Sequence, residues 1–143
     1  MVEQGQTKRV SVEITRDSLG SFHATNARGG VLPFGMGEDP SFTPVELLLV
    51  AIAGCSAIDV DLITARRNEP LEFAVTSEGE KIRDQKGNRL SSVDVGFTVR
   101  FADGAAGDAA REALPSAIQK SHDRLCTVTR TVELSAPVRS HLA

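Results

Sequence analysis

Apolar and polar positions alternate along the first part of the chain. Val10, Val12 and Ile14 are interleaved with Arg9, Ser11 and Glu13, the two-residue period of a half-covered strand. A turn around Asp17-Ser18-Leu19-Gly20 leads to a second strand through Phe22 and Ala24, Gly29-Gly30 marks another break, and the loop GMGEDPSFTP follows at residues 35–44. The alternation then gives way to a run that is apolar on nearly every side, Leu47 to Ile58. Thr43 is placed as its N-cap, Pro44 suits the first helical position, and Glu46 stands three residues after Thr43, which completes a capping box. Phe42 and Leu47 are placed to close a hydrophobic staple across it. The pattern predicts a helix from Pro44 to about Arg67. A helix that is apolar all round needs cover all round. One sheet covers one side, so a second copy of the chain is expected on the other, in a homodimer.

Alternation resumes after Pro70. Leu71, Phe73 and Val75 are interleaved with Glu72, Ala74 and Thr76; the turn DQKGN follows; then Val93, Val95, Phe97, Val99 and Phe101 alternate with polar or small residues. A second helix is predicted from about Asp108 to Leu125, with Ala110, Leu114, Ala117, Ser121 and Leu125 facing inward and Pro115 kinking it. Cys126 comes next, then a last strand through Val128, Val132 and Leu134. The order of elements, strands, long helix, strands, helix, strand, makes an α+β fold. Without repeats or a compositional break, residues 1–143 read as a single domain.

Composition narrows the function. The net charge of −3 over 143 residues, with no Trp or Tyr, gives nucleic acid neither an electrostatic nor a stacking platform. The N-terminus lacks a signal-peptide core, and the run from Leu47 to Cys55, flanked by Glu46 and Asp59, is too short to span a bilayer. A cytoplasmic location is expected, with no membrane partner. In that compartment the two cysteines, Cys55 in GCSAID and Cys126, are inert core thiols or a working redox pair rather than a permanent disulfide. They are too far apart for a C-x-x-C motif. His122 and Cys126 share a helical face by spacing, and Cys55 would make a third soft ligand, but a structural zinc site wants four. His23 and His141 have no spacing partner. With no phosphate loop, G-x-S-x-G elbow or H-E-x-x-H, neither metal nor cofactor is expected.

Two stretches carry a family resemblance. TPVELLLVAIAGCSAIDV, residues 43–60, and RLCTVTRTVEL, residues 124–134, resemble the two signatures of the OsmC/Ohr family, the osmotically induced and organic-hydroperoxide-resistance proteins. GCSAID followed by Val is most similar to the YhfA-like branch. The resemblance implies intertwined homodimers with the central helices at the interface. It also implies a thiol peroxidase that reduces organic hydroperoxides, in which Cys55 attacks, Cys126 resolves, an arginine and a glutamate activate the first thiol, and an external dithiol resets the pair. Arg16, in Arg16-Asp17, resembles the family's arginine, and Arg28 is its rival. Glu46 is the matching carboxylate, although the helix opens Pro44-Val45-Glu46 where the peroxidase branches have Pro-Glu. One residue is about 100° around a helix, and Glu46 also has a capping role. Thr127 stands where those branches follow the second cysteine with proline. A thiol in apolar surroundings is a poor nucleophile, and an ionised Asp59 one turn on would weaken Cys55 further. The rival function is a non-enzymatic stress or ligand-binding dimer with structural cysteines.

Overall fold

Three short antiparallel strands form the N-terminal part of the computed structural model, which describes residues 5–143. β1 (Glu13–Ser18), β2 (Ser21–Thr25) and β3 (Val31–Gly35) lie in the order β1-β2-β3. The first strand sits later than the alternation predicts. The tight turn at Leu19-Gly20 pairs Arg16 with Phe22 and Glu13 with Thr25. Beyond Thr25 the chain turns away, with Asn26 Oδ1 accepting from the Arg28 and Gly30 amides at 3.1 and 2.9 Å. Val10 and Val12 therefore lie ahead of the paired part of β1, unpaired among the described residues. Phe22 and Phe34, opposite each other in register, stack with centroids 5.9 Å apart.

The chain divides into two compact units, one up to Leu47 and one from Leu48 to Ala143. The long helix α1 (Pro44–Thr64) starts in the first and continues in the second. Its capping box forms as predicted. Thr43 N–H donates to Glu46 Oε1 at 2.9 Å, and Glu46 N–H donates to Thr43 Oγ1 at 3.3 Å. The helix stops a turn earlier than expected, where the amides of Arg67 and Asn68 both close onto the Thr64 carbonyl ahead of Pro70. At 21 residues α1 is long and apolar enough to cross a bilayer by length and composition, although the run from Leu47 to Cys55 alone is not. Within the chain it buries one stripe, Ile52, Ala53, Ser56, Val60 and Thr64, the i, i+4 spacing of one helix face. Val50, Ile58 and Leu62 are 50%, 63% and 59% exposed, so the expected burial on all sides holds for one face of the single chain.

In the second unit β4 (Glu72–Asp84) and β5 (Gly87–Arg100) make a long antiparallel hairpin. It runs well past the alternating residues, because main-chain pairing continues to the tight turn whatever the side chains are. One face carries Phe73, Val75, Val93, Val95, Phe97 and Val99, with Phe73 and Phe97 edge to face at 6.3 Å. Gly79 allows α1 to rest on β4, since a Cβ there would come within 3.3 Å of Leu49 and 2.9 Å of Leu90.

The C-terminal part differs most from expectation. α2 (Ala105–Lys120) buries Ala110 and Ala117 as predicted. It then widens into a π-helical turn over Ser121–Leu125, in which Cys126 N–H bonds the Ser121 carbonyl at 2.8 Å. The wider turn breaks the 3.6-residue phase, which buries Ser121 and leaves Leu125 42% exposed. The strand expected after Cys126 is instead a helix, α3 (Thr127–Glu133). Val128 and Val132 are four apart, which suits a helix face, and α3 closes with a Schellman motif. Ser135, at φ 54°, and Ala136 bond back to Val132 and Thr131 at 3.2 and 3.3 Å.

Candidate functional site

Cys55 and Cys126 come together where α1 meets the start of α3. Both are reduced thiols, Cys55 half-buried and Cys126 fully buried. The Cys55 thiol is pushed above the ordinary cysteine range. Burial is the main cause, opposed by a hydrogen bond from the Val128 backbone and reinforced by a hydrogen bond to Cys126 and by the charges of Cys126 and Asp59. Loss of its proton in apolar surroundings beside two groups that become or are anionic is unfavourable.

Cys126 is held more tightly. It is the N-cap of α3, accepting Thr129 N–H at 3.3 Å and donating to Thr129 Oγ1 at 3.2 Å, with the Ile52 carbonyl of α1 at 4.0 Å. Beneath the pair, Ser121 Oγ lies 2.8 Å from Asp59 Oδ2 and 3.0 Å from Ser56 Oγ. A hydroxyl has one proton. It goes to the carboxylate, the stronger acceptor, and Ser56 donates in return. Asp59 is thus both a neighbour that disfavours the Cys55 thiolate and an anchor for the π turn. A cavity of about 810 Å³ adjoins this cluster. Its walls include Val95, Phe97 and Val132, and it shares Ile52 and Thr129 with the surroundings of Cys126 and Ser56 with the hydroxyl cluster.

The other predicted residues have separate settings. Glu46 is engaged by Thr43 in the cap, and the hydrogen bond from the Thr43 backbone holds its carboxyl below the usual range. Arg16 lies on β1 opposite Phe22 and is exposed; Arg28 lies in the turn between β2 and β3, also exposed. His122, the candidate ligand paired by spacing with Cys126, points its Nδ1 at Asp123 (2.9 Å) and its Nε2 at Glu133 (2.7 Å). Those contacts raise its pKa, Asp123 contributing most. Among the described residues, no group of three His, Cys, Asp or Glu side chains is placed to hold a metal ion. Thr129 and the pair Ser56 and Ser121 were not foreseen as parts of the site. Thr129, three residues after Cys126, stands at N-cap spacing, a signal present in the sequence. The meeting of Ser56 with Ser121 depends on tertiary packing.

The sequence model of the family described as OsmC-like protein matches residues 37–141. The chain belongs to the OsmC-like family. The match takes in α1, both cysteines and the hairpin between them. OsmC-like architecture is also what the solved structures share. A hypothetical protein from Aquifex aeolicus VF5 is 21% identical, with 90% of each chain covered and a TM-score of 0.72. An OsmC-like protein of unknown function from Vibrio cholerae is 15% identical over 89% of this chain and 95% of that one, with a TM-score of 0.71. An organic hydroperoxide resistance protein OsmC from Legionella pneumophila, described as a predicted redox protein, is 15% identical over 90% and 91%, with a TM-score of 0.60. At these identities the likeness is one of fold. Among curated proteins, none matches the sequence.

Proposed function

We propose that this OsmC-like protein is a thiol-dependent peroxidase that reduces organic hydroperoxides through Cys55 and Cys126. The observation that carries the reading is that the only two cysteines of the chain, far apart in sequence, are brought side by side, both reduced: Cys126 lies against α1 at the Ile52 carbonyl, one turn before Cys55, and acts on the Cys55 thiol. The Legionella protein described as an organic hydroperoxide resistance protein supports it, as does the apolar cavity beside the cluster. In the first step the Cys55 thiolate attacks the terminal peroxide oxygen. An S–O bond forms, the O–O bond breaks, and the alcohol leaves with a proton, so sulfur is oxidised by two electrons to a sulfenic acid and the peroxide is reduced. In the second step Cys126 attacks that sulfur, the S–S bond forms and water leaves. An external dithiol then returns both thiols by exchange. Cys55 needs a positive charge to ionise at neutral pH. Arg16 is proposed for that role, with Arg28 the alternative, and Glu46 is proposed to orient the arginine in addition to capping α1. The open face of α1 is proposed to pack on a second copy in a cytoplasmic homodimer.

A second reading is favoured by the raised pKa of Cys55, namely a non-enzymatic OsmC-like dimer that binds an apolar ligand in the cavity. Thiol titration before and after one equivalent of cumene hydroperoxide separates the two. Rapid loss of two thiols per chain supports the peroxidase. Unchanged thiols overturn it and leave the binding protein.

A further inference from the structure

Ser121 connects the two cysteine-bearing segments through both its side chain and its main chain. It is fully buried. Its hydroxyl lies 2.8 Å from Asp59 Oδ2 and 3.0 Å from Ser56 Oγ, both on α1, within one turn of Cys55. Its carbonyl accepts the Cys126 N–H at 2.8 Å in the i→i+5 bond of the π turn. An uninterrupted α-helix would give that amide to His122 rather than to Ser121. The widened turn therefore makes the residue anchored to α1 the residue that holds Cys126. π turns interrupt helices at a cost and recur where a function requires them. Cys126 itself, with its thiol capped by Thr129, has little freedom beyond what this connection permits.

We propose that Ser121 is the positioning residue of the cysteine pair: its tether to Asp59 and Ser56 fixes the π turn so that the Cys126 thiol is held against Cys55. Ser121 touches neither reacting atom. Its effect falls chiefly on the step in which the Cys126 sulfur bonds to the Cys55 sulfur, more than on the attack of Cys55 on the peroxide. The inference rests on Cys55 and Cys126 forming a disulfide, and it deepens the peroxidase reading by assigning a residue to resolution.

The test uses the full chain with three substitutions. Ser121→Ala removes the tether. Ser121→Thr keeps the hydroxyl and serves as the conservative rescue. Asp59→Ala removes the acceptor from the other side, in case Ser121→Ala does not fold. Two measurements are made on each. Equilibration with reduced and oxidised glutathione gives the effective concentration of the pair, independently of any peroxide. It is expected to fall about tenfold in Ser121→Ala and Asp59→Ala, the scale of one lost buried hydrogen bond, and to return towards wild type in Ser121→Thr. Single turnover with one equivalent of cumene hydroperoxide is expected to show disulfide formation slowed far more than peroxide loss in Ser121→Ala, with Cys55 trapped by dimedone. Disulfide equilibrium and closure unchanged in a folded Ser121→Ala or Asp59→Ala overturn the proposal. A wild-type chain that closes its disulfide with glutathione but ignores hydroperoxide overturns the peroxidase reading alone. In that case the glutathione series still decides the role of Ser121. A wild type that forms no Cys55–Cys126 disulfide overturns both.

Discussion

The Cys126 thiol caps the helix that follows it, accepting the Thr129 amide at 3.3 Å while donating to the Thr129 hydroxyl at 3.2 Å. One sulfur thus has a structural role and, in the proposed cycle, a chemical one. The roles separate by substitution. Ser is a good N-cap, so Cys126→Ser should melt close to wild type, whereas Cys126→Ala should lose about 1 kcal/mol, the usual value of a lost cap. Both should stop disulfide formation equally and leave Cys55 as a sulfenic acid after one equivalent of hydroperoxide, detected by mass spectrometry of a dimedone adduct. Unimpaired turnover by Cys126→Ser would remove Cys126 from the cycle.

Glu46 tests whether a cap and a catalytic carboxylate coincide. Its hydrogen bonds with Thr43 favour the ionised form. A carboxyl with a lowered folded-state pKa contributes stability above its unfolded value, and that contribution disappears as pH falls through the folded value. Acid melting curves should therefore be flatter in Glu46→Gln than in wild type through the carboxylate range, with melting at neutral pH nearly unchanged. Thr43→Ala, which removes the reciprocal bond, should cost about 1 kcal/mol. A Glu46→Gln enzyme that keeps its melting temperature but loses peroxide consumption shows that Glu46 acts on the cysteine chemistry as well.

His122 ties the π turn to the end of α3 and carries the opposite sign. The ring bonds to Asp123 and Glu133 favour the protonated form, and its folded-state pKa is raised. Its contribution is complete below the unfolded value and is lost as pH rises through the higher folded one. Hydrogen exchange in α3 should accelerate across the range just above the ordinary histidine pKa, modestly because the ring is exposed, and His122→Gln should abolish the step. The imidazole proton shifts should titrate above those of a solvated histidine. A midpoint at or below the solvated value would refute the clamp.

Local chemistry made the start of α1 and the strand β5 readable. Thr43, Pro44 and Glu46 announce the start of α1 through contacts within one turn, and the alternation from Val93 to Val99 announces β5, because each signal is completed by near neighbours. The C-terminal part was misread because its signals are not local. The 3.6-residue phase placed Leu125 inward, and the π turn shifts it out. Val128, Val132 and Leu134 alternate as a strand would, yet a helix forms there, its first turn capped by the Cys126 thiol. Both cysteines were visible in sequence. So was Asp59, one turn after the first; that Ser121 bonds to Asp59 beside the pair was not, since these residues meet only through packing of α1 against the π turn.

Gly54 offers a test of the proposed homodimer. A glycine inside a helix costs about 1 kcal/mol relative to alanine, and a Cβ built at Gly54 meets nothing within 4 Å. Among the described residues, nothing around it requires that bareness. Gly54 is four residues from both Val50 and Ile58, and hence on their side of α1, where they are 50% and 63% exposed. A second α1 crossing at Gly54 would account for both features, since a missing Cβ lets two backbones approach closely. Gly54→Ala then has two opposed effects. It should stabilise the isolated helix and push the paired helices apart, and overpacking at a tight contact outweighs propensity. Sedimentation equilibrium should show the wild type dimeric at micromolar concentration and Gly54→Ala dissociating about tenfold or more readily, the scale of 1–3 kcal/mol of overpacking. A Gly54→Ala chain that melts higher and self-associates as wild type does would show that no helix crosses there. A folded wild-type monomer at micromolar concentration would eliminate the homodimer itself.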